Sequence, residues 1–439
     1  MTAKRSSRYA SGWNNPRVAG SIALMSPLLI IIVLILVLRF VVDLVADLLN
    51  MNRISEDLPD EFTEWYDPEQ YTKSQRYLRE TTRFGILTDT LQISVTLVFI
   101  LAGGFNGLDR LVRIADQGPI ATGLFFMGAL LAAGQLLGLP FSIYSTFVIE
   151  EQYGFNRTTR RTFILDLLKG VALSLVLGAP ILALILWFFG TAGSAAWLLC
   201  WGAVTAIQIV LLFVAPYIIM PLFNKFSPLE EGDLRTTVET YAQEQAFTMR
   251  GVYTMDGSRR SAKSNAFFTG FGKSRRIVLF DTLIKAHPVP ELLAIIAHEM
   301  GHYKKRHILK AIGRGIATMG LTFFLLSRCI ENQHLFDAFS MQHFSIYASL
   351  VFFGFLYTPI SMVLGFIEAL ISRRHEYEAD AFAVETVGTS SALIDGLKRL
   401  TVENLGNLTP HPFKVWLNYS HPPILERIRA IRKQEGRGE

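Results

Sequence analysis

The sequence has few cysteines and few charged residues for its length. Its only cysteines are Cys200 and Cys329, which excludes a disulfide framework and a cysteine-rich zinc module. Charged residues make up 18% of the 439 residues, against roughly 25% in a typical soluble domain, so a large soluble protein is not favoured. The chain also has no Gly/Ser-rich linker, low-complexity tract or internal repeat. Disorder is excluded as well, because 12% aromatic residues and a low charge density favour burial.

The chain is instead rich in long apolar stretches. Hydrophobic residues make up 51% of the chain, and about 20 residues of helix cross a bilayer. Seven stretches have the composition of membrane spans: 22–42, 86–105, 120–144, 171–189, 195–217, 311–326 and 346–371. One such stretch could be a buried core helix of a soluble protein, but seven favour a membrane protein. The first is not a cleavable signal peptide, because Arg39, Asp43 and Asp47 lie where a small-residue cleavage site is needed.

The distribution of basic residues predicts the orientation of these spans. Seven spans place the two termini on opposite sides, and one side holds the segments 51–85, 145–170, 218–310 and 372–439. That side carries 33 of the 42 Lys and Arg residues, so the positive-inside rule assigns it to the cytoplasm. The amino-terminal tail disagrees, since it carries Lys4, Arg5, Arg8 and Arg17 on the outer side. The net charge of +5 is therefore interpreted as topology and not as nucleic-acid binding.

Polar residues within or beside the spans indicate an aqueous interior. Polar side chains are costly against lipid, so they face one another or a wet cavity. They are Asp43, Asp47, Asp89, Gln92, Gln135, Gln208 and Glu368. Hydrogen bonds between helices are an equal alternative for the amides, whereas a wet cavity is the better interpretation for the carboxylates.

A metal-binding pattern precedes the sixth stretch. His298 and His302 are four residues apart, so on a helix both imidazoles lie on one face and can bind one zinc ion. Glu299 then lies beside the metal and can take a proton from water. Pro290 and Glu291 are typical of a helix amino end, which supports the helix. The alternative is a pair of interfacial histidines at the end of a membrane helix.

A third ligand is expected just after the seventh stretch. Glu376 and Asp380 are four residues apart, so one can bind the metal while the other orients a histidine ligand. Spacing alone does not separate Glu376 from His375 or Glu378. If an unbroken helix joins His302 to residue 311, both ligand-bearing stretches lie within about 13 Å of a membrane span, at 1.5 Å per residue.

These motifs, in this order, resemble the type 1 CAAX prenyl protease family of integral-membrane zinc metalloproteases. The resemblance covers essentially the whole chain. It is carried by His298-Glu299-Met300-Gly301-His302, Glu376-Tyr377-Glu378-Ala379-Asp380-Ala381-Phe382-Ala383, Ser420-His421-Pro422-Pro423-Ile424-Leu425-Glu426-Arg427, Tyr153-Gly154-Phe155-Asn156-Arg157-Thr158-Thr159 and Ser264-Asn265-Ala266-Phe267.

The resemblance implies roles for five of these residues. It makes Glu376 the third zinc ligand. It also implies that Asp380 lies next to the ligands and supports them without binding the zinc itself. It also implies that His421 and Arg427 approach the substrate and stabilise the transition state. Without the resemblance, His421 would be a loop residue before a helix and Arg427 an exposed residue on an amphipathic one. Asn265 is implied to contact the substrate backbone.

The segment 264–280 is predicted to form two short strands around Gly270-Phe271-Gly272. A free strand edge can hold an extended substrate, although a hairpin that only packs over the zinc helix is an equal alternative. Basic clusters at Arg259-Arg260, Arg275-Arg276 and Lys304-Lys305-Arg306 are better explained by anionic lipid headgroups than by nucleic acid.

The expected fold is an all-α multi-pass membrane protein. The family fold implies about seven transmembrane helices around an aqueous chamber, with a cytoplasmic zincin-like peptidase domain containing a small β-sheet. The predicted division is a five-helix membrane domain at 1–217, a peptidase segment with the zinc-binding helix at 218–310, helices six and seven at 311–371, and a second peptidase segment at 372–439.

The predicted activity is endoproteolysis near the cytoplasmic membrane surface, with one zinc ion per chain. Glu299 acts as base and then as proton donor. The expected substrates are peptides or proteins, prenylated or membrane-associated ones included, and the lipid bilayer is the other partner. The alternatives are a quality-control protease without prenyl specificity, and a channel or transporter with structural zinc. The absence of a recognised retrieval signal favours a bacterial inner membrane, with the endoplasmic reticulum as the eukaryotic alternative.

Overall fold

The computed structural model describes residues 26–270 and 275–435. Three parts of the predictions lie outside them: the basic tail with the first residues of the first stretch, Phe271 and Gly272 of the predicted turn, and the last residues, 436–439. Within the described residues the chain is mainly helical, with one small sheet.

Among the described residues, seven helices are long and apolar enough to cross a membrane. They are α1 (Pro27–Met51), α2 (Pro68–Leu101), α4 (Gly118–Gln152), α5 (Arg160–Thr191), α6 (Gly193–Phe223), α10 (His307–Cys329) and α12 (Ile346–Val387). Short helices α3 (Gly104–Arg113) and α11 (Gln333–Ala338) lie between them. The number predicted from the sequence is confirmed, although most helices extend beyond the predicted apolar stretches. The polar ends of α2 and α12 account for the largest differences.

The remaining elements form the peptidase region. They are β1 (Phe226–Pro228), α7 (Asp233–Glu244), β2 (Gly251–Met255), β3 (Ala266–Thr269), β4 (Arg276–Phe280), α8 (Asp281–Ala286), α9 (Val289–Lys304), α13 (Ser391–Glu403), α14 (Pro412–Asn418) and α15 (Ile424–Glu435).

Local sequence signals explain where the principal helices begin. Asp67 caps α2 by accepting a hydrogen bond from the Gln70 amide at 2.7 Å, and Thr159 caps α5 in the same way. Proline occupies the first turn of α1, α2 and α9, where its missing N–H costs nothing. The prediction that Pro290 lies in the first turn of the zinc helix is therefore confirmed.

The sheet is mixed and has the strand order β1-β2-β4-β3. Strands β2 and β4 pair in parallel, while β1 and β3 each pair antiparallel at the edges. Thus β3 and β4 are the two strands predicted around Gly270. The β3 strand lies at the edge of the described sheet, with only β4 as a strand neighbour.

The peptidase core surrounds α9. Leu292, Ile296 and Met300 of α9 are buried together with residues from the sheet, α12, α13 and α15. Phe62 and Tyr66 from the connection between α1 and α2 also pack into this core. The peptidase region thus draws on three separate parts of the chain, while the domain boundaries given above stay predictions.

The helix that carries the metal motif is broken before it reaches the membrane helix. The α9 helix ends at Lys304, Arg306 adopts a left-handed φ of 58°, and α10 begins at His307. An unbroken helix from His302 to residue 311, on which the predicted distance to the membrane depended, is therefore wrong. The left-handed residue changes the chain direction, so the first residue of α10 returns beside the end of α9.

Candidate metal centre and active site

Helix α9 brings the two histidines of the motif together. The Nε2 atoms of His298 and His302 lie 3.2 Å apart. Helix α12 packs closely against this stretch of α9, because Gly301 has no side chain: an added Cβ would lie 3.0 Å from the Ala379 Cα. This close approach carries Glu376 up to both imidazoles.

The third group at this position is Glu376. Its Oε1 lies 3.3 Å from His302 Nε2, and its Oε2 lies 3.5 Å from His298 Nε2. One ligand atom from each of the three residues lies within 4.8 Å of the others. Neither His375 nor Glu378, the two alternatives from spacing, belongs to this group.

These residues fit a divalent cation. The buried Glu376 Oε2 has no hydrogen-bond partner in the part of the chain that the structure describes, so it presents an unsatisfied acceptor towards the two imidazoles. Two imidazoles and one carboxylate are a typical ligand set of catalytic zinc.

Asp380 and Arg427 lie behind the three candidate metal ligands. Asp380 Oδ1 lies 2.8 Å from His298 Nδ1, where it can accept the proton of that nitrogen. The Arg427 guanidinium donates two hydrogen bonds to the Asp380 carboxylate, at 2.9 and 2.6 Å, and lies 3.6 Å from Glu376. Arg427 is only 8% exposed, so the alternative of an exposed surface arginine is wrong.

His307 contributes to the site and was not found by sequence reasoning. Its Nδ1 lies 3.1 Å from His302 Nδ1, and its Nε2 lies 3.1 Å from Glu378 Oε2. Its ring stacks on that of His375 at 3.8 Å. His302 and His307 are five positions apart in the chain, and side chains at that spacing do not share a face of a continuous helix. Only the break before α10 brings them together.

His421 approaches the centre from the loop before α15. Its Nε2 lies 3.5 Å from Glu376 Oε1, and its Nδ1 lies 3.0 Å from the Ser420 hydroxyl. The side chain is 65% exposed, unlike the other groups around Glu376. The imidazole can therefore meet a molecule that approaches from outside.

Glu299 faces a large cavity next to the two histidines. The cavity has a volume of about 730 Å³ and is also lined by His302, His307 and residues of α1, α10 and α12. Among these lining residues are Arg314 and Glu368, which form an ion pair at 2.8 Å. Burial raises the pKa of Glu299 above its ordinary value. Glu299 thus lies beside a cavity between membrane helices that contains both apolar side chains and the Arg314–Glu368 ion pair.

The edge strand β3 lies beside this cavity. Phe267 and Phe268 of β3 line it. Asn265 immediately precedes the strand and is exposed, and its Oδ1 accepts a hydrogen bond from the Ala266 amide at 2.8 Å. The β3 edge and two residues of the metal motif, Glu299 and His302, thus border the same cavity.

Comparison with known proteins matches both halves of this architecture. Residues 47–225 match the family described as CAAX prenyl protease N-terminal, five membrane helices, and residues 228–435 match peptidase family M48. The chain is 33% identical over 400 residues to CAAX prenyl protease 1 of Saccharomyces cerevisiae, covering 85% of this chain and 88% of that protein. It is 32% identical to CAAX prenyl protease 1 homolog of Homo sapiens, covering 85% and 88%.

The fold has a counterpart among solved structures. The crystal structure of S. mikatae Ste24p superimposes with a TM-score of 0.86 at 34% identity, covering 92% of this chain and 99% of that one. The resemblance predicted from the motifs is confirmed. The chain belongs to peptidase family M48, in the branch with the CAAX prenyl protease N-terminal region, and is a multi-pass membrane metalloprotease that acts on peptide or protein substrates.

Proposed function

We propose that this protein is a zinc endopeptidase that cleaves prenylated, extended peptides at the cytoplasmic face of its membrane. The main support is the approach of His298, His302 and Glu376 ligand atoms to within 4.8 Å of one another, beside a cavity of about 730 Å³. Three protein ligands leave a coordination position open, as in catalytic zinc sites, whereas structural sites use four. This ligand set and the peptidase family favour proteolysis over a channel or transporter with structural zinc.

One zinc ion per chain is held by His298, His302 and Glu376 in this proposal. When bound, zinc supplies a Lewis acid that lowers the pKa of water and polarises the peptide carbonyl. The Glu299 carboxylate takes a proton from the attacking water and then delivers it to the leaving amine nitrogen. Its raised pKa makes it a stronger base for the first of these steps. Asp380 accepts a hydrogen bond from the protonated Nδ1 of His298. This hydrogen bond fixes the imidazole so that the lone pair of Nε2 is free to bind the metal.

His421 and Arg427 complete the proposed catalytic machinery. Attack on the carbonyl creates an oxyanion, which donors and positive charge stabilise. The exposed His421 imidazole is placed to donate a hydrogen bond to that oxygen from the open side of the site. Arg427 adds a buried positive charge near Glu376 while it holds Asp380 in place.

The substrate proposal rests on β3 and on the cavity. Backbone pairing along the β3 edge holds an extended peptide with little side-chain selectivity, and Asn265 contacts the peptide backbone. The cavity beside it contains apolar residues of two membrane helices, among them Ile308, Met362 and Phe366, which fit an isoprenoid chain. The relatives named CAAX prenyl protease 1 support prenylated substrates.

The cytoplasmic orientation is supported by the basic residues of the peptidase side. In intact bacterial cells, with Cys329 replaced by serine, a cysteine at the exposed position of Lys433→Cys should react with a membrane-impermeant maleimide only after the membrane is permeabilised. Labelling in intact cells would contradict the orientation. The predicted bacterial inner membrane stays a prediction, and the endoplasmic reticulum is its alternative, which the eukaryotic relatives support.

The proposal is tested by cleavage of matched peptides with and without a farnesyl group on cysteine. The purified protein should cleave the farnesylated peptide at least about tenfold faster, since burial of each CH₂ stabilises binding by about 0.8 kcal/mol. A chelator should abolish both reactions and zinc should restore them. The Glu299→Gln variant controls for contaminating peptidases. Equal rates on both peptides would favour general clearance of membrane proteins instead, and activity that survives complete metal removal would contradict the zinc mechanism.

A further inference from the structure

A second groove lies between α2 and α4, away from the metal centre. It has a volume of about 480 Å³. One wall belongs to α2 and the other to the end of α4 on the peptidase side of the membrane. Its lining residues include Arg76, Arg79, Arg83, Phe84, Leu87 and Tyr144. None of these residues has a part in the proposed peptidase mechanism.

The groove carries unusually concentrated positive charge. Arg76, Arg79 and Arg83 are exposed, and within the described residues no carboxylate lies within 4.0 Å of their guanidinium nitrogens. Like charges three and four residues apart destabilise a helix, so this arrangement gains from an anionic ligand. Among the described lining residues the one acidic side chain is Glu80, which already accepts a hydrogen bond from the Tyr153 hydroxyl at 2.8 Å.

The two carboxylates that follow the lining residue Ile149 are also engaged elsewhere. Glu151 accepts a hydrogen bond from the Asn156 side chain at 2.8 Å. Glu150 accepts a hydrogen bond from the Tyr77 hydroxyl at 2.6 Å and pairs with Lys263 at 2.9 Å. Three guanidinium groups therefore face one carboxylate in the groove, a surplus of two positive charges. A ligand of at least one negative charge matches this surplus.

The groove changes from charged to apolar along α2. Next to Arg83, on the side towards the membrane part of α2, the centroids of the stacked Phe84 and Tyr144 rings lie 5.1 Å apart. Leu87 lies one turn further along α2 in the same direction and is 59% exposed. Tyrosine is common at the level of lipid headgroups, and exposed leucines contact acyl chains. The order along the helix, from guanidinium to aromatic ring to aliphatic side chain, matches the order of groups along a phospholipid.

We propose that this groove binds one anionic phospholipid. The three arginines hold the phosphate and the additional headgroup charge, the aromatic pair contacts the glycerol region, and an acyl chain lies along Leu87. A free phosphate ion would use the arginines but not the apolar part of the groove. Clusters of basic residues next to a membrane helix are typical sites for anionic lipids.

The test is lipid binding by native mass spectrometry of the full-length protein in detergent. Phosphatidylserine and phosphatidylcholine with identical acyl chains are added in turn. The variant Arg76→Gln/Arg79→Gln/Arg83→Gln should bind phosphatidylserine about a hundredfold more weakly, the product of roughly fivefold for each cation lost near a membrane. Phosphatidylcholine binding, in which choline neutralises the phosphate, should change little.

The matched control is Arg157→Gln/Arg160→Gln/Arg161→Gln, which removes the same charge from exposed positions outside the groove lining on the same side of the membrane. It should bind phosphatidylserine as the unaltered protein does. Equal weakening in both triple variants would show diffuse attraction and overturn the proposal, as would unchanged binding in the groove variant. Displacement of phosphatidylserine by millimolar inorganic phosphate would identify free phosphate as the ligand and also overturn it. Retained peptidase activity in both variants confirms that they fold.

Discussion

The candidate active site has a buried wall and an open wall that are built from different contacts. On the buried wall, His298, Glu376, Asp380 and Arg427 are each at most 8% exposed. Asp380 is joined to His298 and to Arg427 by charge-assisted hydrogen bonds, and the Arg427 guanidinium lies 3.6 Å from Glu376. The open wall consists of Glu299, His421 and the edge strand β3 beside the cavity. Fixed partners hold a metal in one geometry, whereas free hydrogen-bonding groups can receive a peptide. Changes to the buried wall should therefore alter metal binding and stability, and changes to the open wall should alter turnover.

The largest effect is expected on the open wall at Glu299. The Glu299→Gln variant keeps the shape of the side chain but removes the base, so peptide hydrolysis should fall by about 10²- to 10⁴-fold. Its zinc content, measured by atomic absorption, should match that of the unaltered protein, because Glu299 is not in the proposed ligand set. Full activity would show that Glu299 has no part in the mechanism. Loss of zinc would show that Glu299 helps to hold the metal, as the residues of the buried wall do.

The next largest effect is expected at Arg427 on the buried wall. Arg427→Met leaves the buried carboxylate of Asp380 without its cationic partner, which should destabilise the fold by about 3–5 kcal/mol. The thermal unfolding midpoint in detergent should fall accordingly. Arg429→Met on the same helix is the control, because Arg429 is exposed and should leave the midpoint unchanged. Similar midpoints for both variants would contradict the stabilising role of the Asp380–Arg427 pair.

A smaller effect is expected where α9 meets α12. Gly301→Ala places a Cβ 3.0 Å from the Ala379 Cα, so the helices must separate, which should cost about 1–3 kcal/mol. Zinc affinity should fall as well, since Glu376 moves away from the histidines. Gly354→Ala, where an added Cβ meets open space within α12, should change neither quantity. The comparison uses thermal unfolding and competition with a zinc chelator. Equal behaviour of the two variants would show that the close approach is not required.

The smallest effect is expected at His307. His307→Ala removes the hydrogen-bond partner of His302 Nδ1, so zinc affinity should fall about tenfold, the lower end of the range for such supporting residues. His307→Asn, whose amide can accept the same hydrogen bond, should recover part of that loss. Substitution of the exposed His343 by alanine is the control for histidine content. Unchanged affinity in His307→Ala would remove this residue from the support of the metal centre.

The sequence predicts those parts of the site whose geometry depends only on the periodicity of an α-helix. The four-residue spacings of His298 with His302 and of Glu376 with Asp380 fix shared helix faces whatever the tertiary structure. The position of His307 depends on the left-handed conformation of Arg306. This conformation is uncommon for arginine, and the local sequence does not predict it. The burial of Arg427 depends on packing α15 against α12, and the choice among His375, Glu376 and Glu378 depends on the same helix contacts. The number of membrane helices followed from composition, whereas their ends followed from caps such as Asp67.

The central claim is an open zinc site with three protein ligands. Anomalous diffraction at the zinc absorption edge, from crystals of the unaltered protein, tests it most directly. The account predicts one peak per chain at about 2.0–2.2 Å from His298 Nε2, His302 Nε2 and a Glu376 oxygen, with no fourth protein ligand. A peak at other residues, or a fourth protein ligand that closes the site, would contradict it.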